Sequence, residues 1–137
     1  GRVEVLQRRP ALVLDAAHTV ESVQALLNAL ETHFPQRRLI LVFGCSADKN
    51  IDGMLEVLGR QAGQFIATRA ESTRAAEPAL LAERAGRAGA ESSVVVPPGE
   101  AVRDALHRAG TRDIVCVTGS FYVAGEVRTA WERGELS

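Results

Sequence analysis

The chain has 137 residues, 46% of them hydrophobic and 24% charged, enough for one domain that buries about 65 to 70% of the surface its unfolded form would expose. With 16 Lys plus Arg against 17 Asp plus Glu, the formal charge of −1 offers no general field to nucleic acid or to an anionic membrane, so any ligand must be held locally. Apolar runs such as Leu39 to Phe43 fall far short of the ~20 residues of a membrane helix, and Cys45 and Cys116 show no CxxC spacing, which reads as buried reduced thiols of a cytoplasmic protein rather than a disulfide or zinc framework.

Short aliphatic runs alternate with longer amphipathic segments, the rhythm of βαβ crossovers. The pattern predicts a Rossmann-like α/β fold: an open sheet of about six strands, mostly parallel, with helices on both faces. Val3 to Leu6 and Ala11 to Asp15 flank Gln7-Arg8-Arg9-Pro10, a turn-like spacing that predicts an antiparallel hairpin at the amino-terminal edge. Val20, Val23, Leu27, Leu30 and Phe34 fall three and four apart and predict a helix that Pro35 ends. Leu39 to Gly44 predicts a buried strand, and Asn50 caps a helix striped by Met54, Leu55 and Leu58.

Gln64 to Thr68 predicts the next strand, Arg69 to Glu77 an irregular polar stretch, and Pro78 the start of a helix to about Ala88. Ser93 to Val96 reads as a strand closed by Pro97-Pro98-Gly99, followed by a helix carrying Val102, Ala105, Leu106 and Ala109. Asp113 to Thr118 is the last strand. Ser120 then caps a final helix with Ala124, Val127 and Trp131 on its inner stripe. The economical organisation is a single domain over residues 1–137. The opening Gly1-Arg2-Val3, without an initial methionine, is expected to mark a piece of a longer protein.

Three predicted strand ends carry polar residues that a core would not select: Asp15 with His18, Asp48 with Lys49, and Thr118-Gly119-Ser120. In a parallel sheet these ends share one edge, so they can converge on one crevice. Asp15 serves there as a brace for the turn or as an acceptor for a sugar diol. His18 is a turn residue or a donor to a phosphate oxygen beside the helix N-terminus. Lys49 is a solvated loop cation, paired with Asp48, or a point charge for a substrate carboxylate. Ser120 is a helix cap or part of a donor-rich turn for an anion. No second histidine stands at ligand spacing, so no metal site is expected. No GxxxxGK[ST] loop and no GxGxxG after a strand occur, so the chain has no triphosphate or dinucleotide cradle of its own.

Gly1-Arg2-Val3-Glu4-Val5, Leu14-Asp15-Ala16-Ala17-His18, Val42-Phe43-Gly44 with Ala47-Asp48-Lys49, and Val117-Thr118-Gly119-Ser120-Phe121-Tyr122 together resemble the C-terminal domain of the folylpolyglutamate synthase and dihydrofolate synthase family, relatives of the Mur peptide ligases. The motifs stand in the family's order across essentially the whole chain. The resemblance implies a mobile lid of an ATP-dependent ligase that activates a folate or dihydropteroate carboxylate as an acyl phosphate, which the amine of L-glutamate attacks. It implies that the phosphate-binding loop and the Mg2+ ligands belong to an N-terminal ATP-binding domain, outside this chain, and that the isolated chain is inactive. By the same resemblance Arg2, Asp15 and His18 contact the nucleotide, Lys49 and Ser120 hold the incoming glutamate, and Asp48 positions the lysine loop. No catalytic residue is assigned within the chain.

Two positions depart from the family pattern. Thr19-Val20 stands for the usual Asn-Pro, and Asn50 for an aspartate. Thr19 can still cap the helix. The competing readings are the equivalent domain of a Mur-type peptide ligase and a freestanding binding module for a small anion; the first shares the chemistry, the second has none.

Overall fold

The computed structural model describes residues 3–137. Arg2 therefore lies outside the described residues. The elements run β1 (Glu4–Arg8), β2 (Ala11–Leu14), α1 (Val20–His33), β3 (Leu39–Phe43), α2 (Ile51–Gln61), β4 (Gln64–Ala67), α3 (Pro78–Arg87), β5 (Glu91–Val94), α4 (Pro98–Arg108), β6 (Ile114–Thr118) and α5 (Phe121–Glu132). They build one six-stranded sheet in the order β1-β2-β6-β3-β4-β5. β2, β6, β3, β4 and β5 run parallel to one another, and β1 pairs antiparallel with β2 at the edge.

The sheet divides the core by the two-residue period of its strands. Val13, Leu41, Phe43, Phe65 and Cys116 point to the side covered by α1, α2 and α3. Leu12, Leu14, Val42, Ile66 and Val117 point to the side covered by α4 and α5. The central strands β2, β3 and β6 are buried along their whole length, as a parallel sheet covered on both faces requires. Phe43 and Phe65, both fully buried, stack with ring centroids 5.7 Å apart, so truncating either would leave a cavity costing about 3–5 kcal/mol.

Local chemistry sets the helix starts. Thr19 accepts the Ser22 N–H at 3.0 Å, and Ser22 Oγ accepts the Thr19 N–H at 2.9 Å, a reciprocal cap on α1. Asn50 Oδ1 accepts the Gly53 N–H at 3.0 Å on α2. Ser120 Oγ accepts the Val123 N–H at 3.0 Å on α5.

Three expected boundaries move. β1 continues to Arg8, so the hairpin turn is Arg9-Pro10; a bulge between Val5 and Gln7 absorbs the extra residue. The fifth strand is Glu91–Val94 rather than Ser93 to Val96, paired from Gln64↔Glu91 to Ala67↔Val94. An edge position with one neighbour tolerates its polar start, and Ser92 Oγ donates to the Ala82 carbonyl at 2.7 Å. The inner stripe of α5 is Val123, Val127 and Ala130, with Trp131 half-buried, because the helix begins immediately after Ser120 and turns its first apolar residue, Val123, into the core.

Gly119 joins β6 to α5 at φ 114°, and an added Cβ would overlap the Gly44 carbonyl. Gly119→Ala is expected to lower unfolding free energy by about 2 kcal/mol or more, read from the urea midpoint at unchanged slope. At the other edge, Asp113 accepts from Arg38 Nε at 3.1 Å, Arg38 Nη2 at 2.6 Å and the Gly110 N–H at 2.8 Å. Burial alone would push its carboxyl up, yet these bonds and the Arg38 charge hold it below the ordinary 3.8. The associated stability is present above that ordinary value and disappears as pH falls through the lower folded one. Asp113→Asn should therefore be less stable near neutrality and show a shallower acid limb below about pH 4, measured by urea titrations from pH 7 to 2.

Candidate functional site

The strand order creates the site. α1, which follows β2, packs on one face of the sheet, and α5, which follows β6, packs on the other. β2 and β6 are neighbours, so their following segments diverge and leave a crevice outside the carboxyl edge. A cavity of about 850 Å3 occupies it. Asp15, His18 and Ser22 form one wall, Phe121 and Gly125 another, and Val3 and Val5 of the hairpin close the side.

Backbone bonds fix the floor. Asp15 N–H donates to Val117 O at 3.0 Å, and Gly119 N–H donates to Ala17 O at 3.0 Å. The Thr118 hydroxyl donates to the same Ala17 carbonyl at 3.3 Å. Gly44 N–H then donates to Thr118 O at 3.3 Å, tying in the end of β3. The three strand ends singled out in the sequence are thus adjacent, in the order β2, β6, β3.

Asp15 is only 5% exposed. Its Oδ1 accepts the Ala17 N–H at 2.8 Å, so it does brace the turn. Oδ2 has no donor among the described residues and remains available to a ligand in the cavity that Asp15 lines. His18 Nδ1 lies 2.9 Å from Ala16 O. A carbonyl can only accept, so Nδ1 carries the hydrogen and Nε2 is the free nitrogen. Neutral, that nitrogen accepts; only the imidazolium donates from it. The ring also lies 5.8 Å from that of Phe121, tilted by 46°.

Lys49 and Asp48 do not line this cavity, nor does Ser120. Asp48 and Lys49 lie in the loop after β3, a strand whose end is two strands, about 10 Å, from the end of β2. Lys49 is half-buried and Asp48 exposed, and the two form no ion pair among the described residues. The loop itself is pinned: Ala47 N–H donates to Arg74 O at 2.8 Å and Ala76 N–H to Cys45 O at 2.8 Å. Ser120, committed as the cap of α5, sits between the two groups at the end of β6. The edge is therefore one rim with an acid–imidazole compartment at one end and a lysine loop at the other.

Three site residues escaped the sequence reading. Ser22 accepts the N–H of His18 at 3.0 Å as well as that of Thr19, and Thr19-Val20-Glu21-Ser22 is its sequence signal, a cap spacing. Phe121, 72% exposed yet lining the crevice, lies in the Val117 to Tyr122 motif, whose polar turn is its sequence signal. Arg128 forms a bidentate pair with Glu4, its Nη1 at 2.7 Å from Oε2; both line the cavity, and no local pattern links residues so far apart in sequence.

This fold and rim define an open α/β domain of the ligand-crevice class. The family described as "Mur ligase, glutamate ligase domain" matches residues 1–121, and the chain belongs to it. It is 34% identical over 137 aligned residues to a probable bifunctional folylpolyglutamate synthase/dihydropteroate synthase of Haloferax volcanii, covering 97% of this chain and 16% of that protein. It is also 34% identical over 127 residues to the UDP-N-acetylmuramoyl-L-alanyl-D-glutamate--2,6-diaminopimelate ligase of Coxiella burnetii, covering 87% of this chain and 26% of that one. Among solved structures, the bifunctional folylpolyglutamate synthase/dihydrofolate synthase of Yersinia pestis complexed with AMPPNP and Mn ion superposes with TM-score 0.86 at 30% identity, covering 96% of this chain and 31% of that one. The chain thus spans less than a third of each of these relatives.

Burial first, and then the Asp48 charge, raise the Cys45 thiol to about 11 despite the opposing Lys49. Burial, with a smaller contribution from Asp15, also raises that of Cys116. Since the thiolate is the nucleophile, iodoacetamide at pH 8 should leave both thiols unmodified in the folded chain and alkylate both in 6 M guanidinium, as read by mass spectrometry.

Proposed function

We propose that this chain is a single domain, the carboxyl-terminal part of a larger ATP-dependent ligase that joins L-glutamate to a folate or dihydropteroate acid. The observation that carries the reading is the rim itself: an acid and an imidazole in one crevice and a lysine loop two strands away, in a chain whose family is described as a glutamate ligase domain. Relatives named folylpolyglutamate synthase match nearly the whole chain. Neighbouring solved structures of that name hold AMPPNP with Mn ion, or ADP.

The residues fit a nucleotide. Asp15 Oδ2 is free to accept from ribose hydroxyls while Oδ1 keeps the turn in place. His18, held through Nδ1, offers Nε2 to a phosphate oxygen when that nitrogen is protonated. Phe121 walls the crevice and limits water on one side of the ring. Arg2, at the start of the chain, is assigned to the phosphates by resemblance alone.

Lys49 supplies a point charge for a carboxylate of the incoming glutamate, and the Ser120 hydroxyl can donate to the same group while its lone pair caps α5. Asp48 shapes the lysine loop. ATP, with Mg2+ held by residues beyond this chain, supplies the phosphoryl group that activates the acid. The contribution of the rim is to orient both reactants and exclude water from an activated acid that would otherwise hydrolyse. A domain that only closes over a site held elsewhere should be inactive alone.

In the full-length protein, Lys49→Ala should raise the KM for glutamate about tenfold or more with a smaller change in kcat, and Arg2→Ala should mainly lower kcat. Steady-state kinetics with both substrates varied separate the two, and unchanged constants in both variants would remove the site assignment. The Coxiella burnetii match keeps a peptide ligase as the second reading. A panel offering glutamate with folates against UDP-linked muramyl peptides with diaminopimelate decides between them.

A further inference from the structure

Three arginines occupy one register row at the amino edge of the sheet, opposite the crevice. β2 begins at Ala11, β6 at Ile114 and β3 at Leu39, and these residues pair side by side across adjacent strands. Arg9, Arg112 and Arg37 each stand two positions before the first residue of their strand. With Thr111 they line one cavity of about 360 Å3.

None of these three arginines belongs to an ion pair among the described residues. Arg38, one position later in the same loop, is by contrast neutralised by Asp113. Glu31 shares a neighbouring cavity with Arg37 without pairing with it. The overall charge of −1 does not account for a run of unpaired guanidinium groups, so their effect is local.

The loops that carry them are already ordered. Ala11 N–H donates to Asp113 O at 3.2 Å and Ile114 N–H to Arg38 O at 2.9 Å. The Gly110 N–H closes the α4–β6 turn on Asp113, and the Arg37 guanidinium lies 5.3 Å above the Phe34 ring. The backbone supports are fixed, and three arginines without ion-pair partners among the described residues border one space, an arrangement that an anion stabilises and water only screens.

We propose that this cavity is a second ligand site, separate from the Asp15–His18 crevice, that takes a multiply charged phosphoryl oxyanion. A single carboxylate is satisfied by one guanidinium fork, whereas a phosphoryl group or a pair of them presents enough oxygens and charge for three forks and a threonine hydroxyl. The site does not depend on the ligase reading.

The test is a 15N NMR titration of the chain with inorganic pyrophosphate at constant ionic strength. Saturable one-site shifts are expected at the amides of Arg37, Gly110 and Arg112. The Kd should rise about tenfold in each of Arg9→Ser, Arg37→Ser and Arg112→Ser and stay unchanged in Arg87→Ser on α3. Arg9 and Arg112 are exposed turn residues, so at least two variants retain the fold. ATP shifting the same amides would identify a nucleotide-borne source, while ATP shifting only the Asp15–His18 crevice would identify a free oxyanion. Absence of saturation, a Kd unmoved by all three substitutions, or equal affinity for triglutamate would overturn the proposal.

Discussion

The Ala17 carbonyl is the junction on which the rim depends. It accepts from the Gly119 N–H and the Thr118 hydroxyl, and so joins the segment leaving β2 to the segment leaving β6 just where their helices part to opposite faces. Thr118 in turn offers its own carbonyl to Gly44. Two glycines make this approach possible, since a side chain at Gly119 would strike the Gly44 carbonyl and one at Gly44 would strike the Thr68 carbonyl. Everything that carries chemistry at this edge rises from that hydrogen-bonded floor.

The floor explains how Asp15 can be buried and still keep one carboxylate oxygen unbonded among the described residues. Asp15 is nearly excluded from solvent, and burying a carboxylate without partners would be costly. One oxygen is satisfied by the Ala17 N–H within the same turn, while the other remains for a ligand. His18 is treated similarly: one nitrogen is tied to the Ala16 carbonyl, and the imidazole is left with one free atom and one orientation. Thr19, where the family pattern has asparagine, spends its hydroxyl on the helix cap. The departure leaves the helix start intact. Asn50 likewise keeps a capping role at α2.

The two edges of the sheet have opposite characters. The carboxyl edge offers an apolar crevice with an acid, an imidazole and helix starts; the amino edge gathers Arg9, Arg37 and Arg112. Register produces both, because residues at equal offsets from paired strand ends must stand side by side. Composition cannot report this, since the charges cancel nearly to zero over the chain.

Local signals determined much of the molecule by sequence alone. The unbroken apolar runs of β2, β3 and β6, the caps at Thr19, Asn50 and Ser120, and the proline starts of α3 and α4 depend on near neighbours, so they can be read without a fold. Motif order likewise pointed to the family. Tertiary structure decided the rest. Only strand order places β6 between β2 and β3, splits Asp15 and His18 from Lys49, and brings Glu4 to Arg128 across the crevice. Edge position let polar Glu91 and Ser92 enter β5, against their propensity. Those outcomes follow from contacts between residues distant in sequence, whose geometry no local pattern of residue types encodes.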